Sequence, residues 1–198
     1  MFPIKKIKDE LRKDLLEKRA SLGDDEGKLR SEKICALASS LVSFKHADIV
    51  LLYSPIKSEI DVYPLFYEAL KSGKRVAFPK CDCETKTMQF HFVSSLEELS
   101  AGAYGILEPS EFSPVYDLEC TPGVAVCYIP ALAFDVYGYR LGYGKGYYDK
   151  FTGIFRGCTI GLIYSEFILP SLPRGKFDRH CDIMLTEKGI RPIKIDKK

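Results

Sequence analysis

Apolar residues recur at Ile4, Ile7, Leu11, Leu15 and Leu22, a helical spacing that predicts an amphipathic helix over residues 4–21. Lys5, Lys8, Arg12 and Arg19 fall on its other face. A second helix starts after the acidic pair Asp24-Asp25 and turns Leu29, Ile34, Leu37 and Leu41 inward. The run DIVLLY (48–53) is continuously apolar and of strand length, the pattern of a strand covered on both faces. Residues 61–73 predict a helix with Asp61 as a cap at its front and Gly73 behind it. RVAFP (75–79) reads as the next strand, and the alternating MQFHFV (88–93) pairs in a hairpin after a Cys/Thr-rich turn. SLEELSAG predicts a short helix, and residues 104–122, with Pro109, Pro114 and Pro122, a loop. GVAVCYIP (123–130) and CTIGLIY (158–164) are further buried strands, residues 147–155 are helical, and DIMLTEKGIRPIKI adds one or two short strands.

Apolar strands alternating with helices predict a three-layer α/β domain with a largely parallel sheet. Such sheets bind ligands beyond the carboxyl ends of their strands. A chain of 198 residues suits one domain, spanning 1–198. A net charge of +2 gives no large field for nucleic acid or membrane. The first 19 residues carry seven Lys/Arg, but Asp9, Glu10, Asp14 and Glu17 intervene, so a nucleic-acid partner is not expected. The start of the chain lacks the apolar core of a signal peptide, and no apolar run approaches the ~18 residues of a membrane span. A cytoplasmic location is therefore expected. Seven cysteines without a CxxC pair read as reduced, mostly buried thiols rather than a zinc site.

The chemistry concentrates in RLGYGKGYYDKF (140–151). Gly142, Gly144 and Gly146 let successive backbone N–H groups approach an anion without Cβ interference, and Arg140 and Lys145 add full charges. The start of the helix that follows adds partial positive charge. The segment is neither GxxxxGK[ST] nor GxGxxG. It reads either as a polyphosphate cradle or as a Gly/Tyr-rich surface turn. In a cradle, Asp149 calls for a cation between carboxylate and phosphate; Mg²⁺ is the usual one, with Asp178 or Asp182 as a second ligand.

Across PALAFDVYGYRLGYGKGYYDKF (130–151) the sequence resembles the 5-formyltetrahydrofolate cyclo-ligase family, also called methenyltetrahydrofolate synthetases. It fits P-x-L-x-F-D-x-x-G-x-R-L-G-x-G-x-G-Y-Y-D at every fixed position from Pro130 to Asp149. KDELR (8–12), SEI (58–60), GK (73–74), MQF (88–90) and GILEP (105–109) are similar to family segments in the same order, while the tail has Phe177-Asp178 where a His-Asp pair is common. The resemblance implies a fold like the NagB/RpiA/CoA-transferase group. It also implies a ligase that uses ATP and Mg²⁺ to turn 5-formyltetrahydrofolate into 5,10-methenyltetrahydrofolate, releasing ADP and phosphate. A monomer is expected, with no sequence feature that fixes it.

By the same resemblance, Lys145 and Arg140 are catalytic. ATP is held by Lys8, Arg12, Arg140, Leu141, Gly142, Tyr143, Gly144, Lys145, Gly146, Tyr147 and Tyr148. The folate is held by Ile56, Glu59 and the 143–147 segment, with Glu59 on the pterin N–H groups, and the metal by Asp149; the tail candidates for a second ligand, Asp178 or Asp182, lie where the chain departs from the family pattern. Two other readings stay open: a non-catalytic folate or nucleotide binder, and a sugar-phosphate isomerase on a related fold.

Overall fold

The computed structural model describes residues 4–195. Helices α1 (Ile4–Ala20), α2 (Asp24–Ser40) and α3 (Val42–Lys45) lead into β1 (Ile49–Leu51), α4 (Tyr63–Lys71) and the hairpin of β2 (Arg75–Asp82) and β3 (Thr87–Val93). Short strands β4 (Leu99–Ala101), β5 (Leu107–Pro109) and β6 (Val115–Tyr116) precede β7 (Ala125–Ile129), β8 (Ala133–Asp135) and β9 (Arg140–Leu141). Helix α5 (Tyr147–Thr152), β10 (Cys158–Leu162), β11 (Ile168–Leu169), β12 (Ile183–Thr186) and β13 (Gly189–Arg191) complete the order.

The main sheet runs β13-β12-β10-β7-β1-β2-β3-β6. Its five central strands, β12 to β2, are parallel, and β13, β3 and β6 are antiparallel. Central strands covered on both faces can be apolar at every position. Ile49, Val50 and Leu51 of β1 are accordingly all fully buried. Phe78 of β2 packs on Phe66 of α4, with ring centroids 5.7 Å apart, and Tyr128 of β7 donates to the Ala38 carbonyl of α2 at 3.3 Å. Helices α2 and α4 therefore cover one face. The β2–β3 register pairs Phe78 with His91 and Pro79 with Phe90, so Phe90 points to the other face. There it meets Phe151 of α5 at 4.7 Å. A small sheet, β11-β8-β9, shares that side. Phe134 of β8 lies so close to β10 that a Cβ on Gly161 would come within 2.3 Å of its ring. The three-layer, largely parallel architecture expected from the sequence is what the chain adopts.

Local expectations fare differently. Residues 95–102 form a single turn, Leu96–Glu98, fixed by reciprocal Ser95 and Glu98 cap bonds, and then join the β4–β5 ladder. The stretch 104–122 contains β5 and β6 as well as loop. Residues 131–141 form the β8–β9 hairpin, unforeseen because Gly138, at φ 80°, makes its turn inside a segment read for its glycines. Leu29, Ile4 and Ile7 stay exposed. Of the seven thiols only Cys35, Cys127 and Cys181 are buried; Cys83 and Cys120 stand on polar turns and are exposed. Helix α5 stops at Thr152, three residues short of its expected end. Among the described residues no helix is long and apolar enough to cross a membrane.

Candidate active site

Segments leaving β1, β2 and β7 at their carboxyl ends open onto a cavity of about 1070 Å³. Tyr53, Ile56 and Glu59 enter it after β1, Cys81 at the end of β2, and Pro130 after β7. The entire 140–150 segment lines it, and Lys8 and Arg12 of α1 and Asp178 close it from the side.

The glycine loop takes its shape from left-handed backbone at Gly144 (φ 92°) and Gly146 (φ 80°), conformations that an L side chain resists. Arg12 fixes the loop: its Nε donates to the Gly142 carbonyl at 2.8 Å, and its guanidinium lies 3.0–3.2 Å from where a Cβ on Gly144 would sit. Asp9 pairs with the other side of that guanidinium. Lys145 stands at the cavity with its ammonium 5.0 Å from the centre of the Tyr104 ring. Because α5 has only six residues, the electrostatic contribution of the loop comes mainly from its own amides and these side chains.

Arg140 is nearly buried. Its Nη2 donates to Asp149 Oδ1 at 2.8 Å, the guanidinium lies 5.8 Å from the Tyr148 ring, and Nη1 is a buried donor without a partner. Asp149 also accepts from the Arg179 amide at 3.3 Å on the same oxygen. Asp178 pairs with Lys8 and accepts from the Gly175 amide at 2.7 Å, which ties α1 to the tail. Asp182 is elsewhere: its carboxylate accepts from the Thr159 amide and hydroxyl at 2.8 and 2.6 Å, locking β12 to β10. The residues read from the sequence as metal ligands thus divide, with Asp149 and Asp178 on the cavity and Asp182 outside it. No group of three or more His, Cys, Asp or Glu residues suited to a metal ion occurs among the described residues. Asp149 still fits a cation that arrives with phosphate oxygens, since Mg²⁺ needs only one or two protein carboxylates in such a site.

Glu59 defines the far end. It is buried, with Oε2 accepting from the Ile56 amide at 3.0 Å. Burial raises its carboxyl to about 7, against the lowering effects of the Ile56 bond and of Arg19. Tyr143 and Tyr148 face the same carboxylate, and burial pushes both phenols up, so they remain neutral donors. Tyr147 reaches across to Tyr104, with hydroxyls 3.4 Å apart. All the candidate binding residues, from Lys8 through Ile56 and Leu141 to Tyr148, are brought to one cavity.

Sequence reasoning missed Tyr104, Glu108, Met88 and Lys57 as walls of the cavity. Tyr104 has left-handed backbone (φ 59°), an uncommon state for a bulky residue. No pattern in the 104–122 stretch signals it. It misplaced Arg19 outright, as a surface charge, whereas that side chain is 1% exposed.

A mostly parallel α/β sheet with a cationic glycine loop beyond its strand ends defines an enzyme of the α/β class, and comparison with known proteins narrows it to a ligase. The model of the 5-formyltetrahydrofolate cyclo-ligase family matches residues 4–187, and the chain belongs to that family. A Schizosaccharomyces pombe protein described as a probable 5-formyltetrahydrofolate cyclo-ligase is 30% identical, over 94% of this chain and 98% of the relative. The solution structure of Aquifex aeolicus 5,10-methenyltetrahydrofolate synthetase is 38% identical, with a TM-score of 0.82 over 97% of this chain and 95% of that one. A Mycoplasma pneumoniae 5,10-methenyltetrahydrofolate synthetase structure, 24% identical, shares the fold with a TM-score of 0.72 over 91% of this chain and 98% of that one. The activity is that of a cyclo-ligase, and the isomerase and non-catalytic readings give way to it.

Proposed function

We propose that the protein, as one cyclo-ligase domain acting as a cytoplasmic monomer, couples ATP cleavage to ring closure of 5-formyltetrahydrofolate. The observation that carries this reading is the joining of the glycine loop and Glu59 by one cavity of about 1070 Å³. That is at or above the upper end for a single small-molecule site, so it has room for nucleotide and folate together.

The reaction needs help because direct cyclisation would expel hydroxide or oxide from the N5 formamide. In the proposed route the γ-phosphoryl group passes to the formyl oxygen, leaving ADP. N10 then attacks the activated formyl carbon and loses its proton, the C–O bond breaks, and phosphate departs with the oxygen, the released proton passing to phosphate or solvent. Closure is intramolecular, where well-aligned groups reach effective molarities of about 10⁵–10⁸ M. The protein's work is positioning and charge neutralisation, as in other phosphoryl transfers.

Backbone amides of Gly142 to Gly146, with Arg12, Lys145 and Lys8, hold the triphosphate. Arg140 sets the position of Asp149 and offers its unpartnered Nη1 to transferring phosphoryl oxygens. Glu59 accepts from the amino and ring N–H groups of the pterin, and Ile56, Tyr143, Tyr147 and Tyr148 wall its flat ring. Mg²⁺, when bound, neutralises charge on the β- and γ-phosphates, and Asp149 would hold it, with Asp178 beside it as a second candidate. Phosphate release measured against methenyl product tests the route. A one-to-one ratio supports it, and methenyl formation without ADP overturns it.

A further inference from the structure

Lys145 is fixed at its Cα by the left-handed glycines on either side, Gly144 and Gly146, but its long stem is free to rotate. Lys8, Arg12 and Arg140 are each paired with a carboxylate, whereas no ion pair holds the Lys145 ammonium among the described residues. What meets it is the Tyr104 ring, its centre 5.0 Å away. Tyr104 is 57% exposed, so this ring fills no core. Its backbone is left-handed, φ 59° and ψ 18°, a state a bulky residue keeps only where its surroundings enforce it. Here they do. The Gly102 amide donates to the Ile106 carbonyl at 2.8 Å and the Ile106 amide to the Ala103 carbonyl at 3.1 Å, which closes the turn. Glu108 packs so tightly on Gly102 that a Cβ there would come within 2.4 Å of Oε2, and its other oxygen accepts from the Cys81 amide at 3.2 Å, tying the turn to β2. The Tyr104 and Tyr147 hydroxyls, 3.4 Å apart, orient the ring toward α5.

We infer that Tyr104 is a positioning residue for Lys145: its ring holds the ammonium at the cavity, where the triphosphate arrives. This rests on the reading of Lys145 as a triphosphate ligand given above. The quadrupole of a tyrosine ring attracts an ammonium over its face, more strongly as water is excluded. The ring carries no net charge, so unlike a carboxylate partner it leaves the full positive charge for the anion. A lysine already held also gives up less rotamer freedom on meeting phosphate than one that samples solvent. The closed turn and the Tyr147 contact keep the ring in place for this, and the left-handed backbone at Tyr104 is the strain that the placement requires.

The test uses ¹³C-lysine-labelled full-length protein, with Lys145→Ala identifying the resonance, and calorimetric binding of the non-hydrolysable ATP analogue AMP-PNP with Mg²⁺. The Lys145 side-chain protons are expected to carry an upfield ring-current shift that Tyr104→Phe keeps and Tyr104→Asn loses. Asparagine accepts left-handed backbone, so that variant removes the ring and spares the turn. Tyr104→Asn is expected to weaken analogue binding about fivefold, the scale of a cation–π contact at an exposed site, while Tyr104→Phe retains the affinity. In the Lys145→Ala background Tyr104→Asn is expected to have no further effect. A Lys145 resonance indifferent to Tyr104→Asn overturns the proposal, and so does a Tyr104→Asn variant that binds the analogue like wild type. The same loss of affinity with and without Lys145 also overturns it, by making Tyr104 a direct contact of the ligand. A ring-current shift that follows Tyr104 while Lys145→Ala binds the analogue like wild type overturns it through the triphosphate reading and leaves the Tyr104–Lys145 contact standing.

Discussion

Arg140 Nη2 meets Asp149 Oδ1 at 2.8 Å across the glycine loop, so a cation and an anion proposed to serve the same ligand hold each other in place. The Arg140 side chain is only 4% exposed and its second nitrogen is unpartnered, which leaves it dependent on that carboxylate. Asp149→Asn is expected to cost about 2 kcal/mol in urea unfolding, by leaving a buried charge uncompensated, and to move the Mg²⁺ titration of activity to higher concentration. An unchanged Mg²⁺ titration removes Asp149 as a metal ligand.

Asp182 gives the opposite pattern. Its bonds to Thr159 join β12 to β10 outside the cavity. Asp182→Ala is expected to destabilise by about 2 kcal/mol, since two donors lose their acceptor, with the Mg²⁺ dependence of turnover unaltered. Asp178→Ala should alter it; identical Mg²⁺ profiles in the two variants would contradict the separation seen here.

Gly144→Ala tests the loop itself. At φ 92° an alanine costs about 1–2 kcal/mol, and its Cβ would come within 3.0–3.2 Å of the Arg12 guanidinium. The expected result is a KM for ATP raised about tenfold or more, as Arg12 is pushed off the Gly142 carbonyl, with a smaller change for the folate. Equal effects on both substrates would disconnect the loop from the nucleotide.

These contrasts show what the sequence could reveal. The glycine spacing exposed the loop because backbone freedom at Gly144 and Gly146 is written in the residue type. The buried parallel strands were legible because strands covered on both faces need no polar positions. Arg19 was not, because its burial depends on the Ala131 carbonyl and on Phe167, more than a hundred residues away. Tyr104 and Glu108 were missed for the same reason: their place in the wall follows from the turn 103–105 and β5 packing beside β2, not from a local pattern.

Glu59 supplies a pH test of stability. Its ordinary carboxyl value of 4.5 is raised to about 7 in the folded protein. The folded form therefore keeps a proton that the unfolded chain releases, and stability from this group falls as pH rises from 4.5 to about 7. Glu59→Gln keeps an acceptor for the Ile56 amide and has no such slope. Its unfolding free energy relative to wild type is expected to grow with pH, reaching roughly 3 kcal/mol above pH 7. Parallel stability curves from pH 5 to 8 would refute the buried titration.

The most direct measurement follows the methenyl chromophore when purified protein is mixed with 5-formyltetrahydrofolate and Mg²⁺, with and without ATP, for wild type and Lys145→Ala. The account predicts product only in the presence of ATP and a large loss of turnover in Lys145→Ala. Product formed equally without ATP, or Lys145→Ala turning over like wild type, would contradict it.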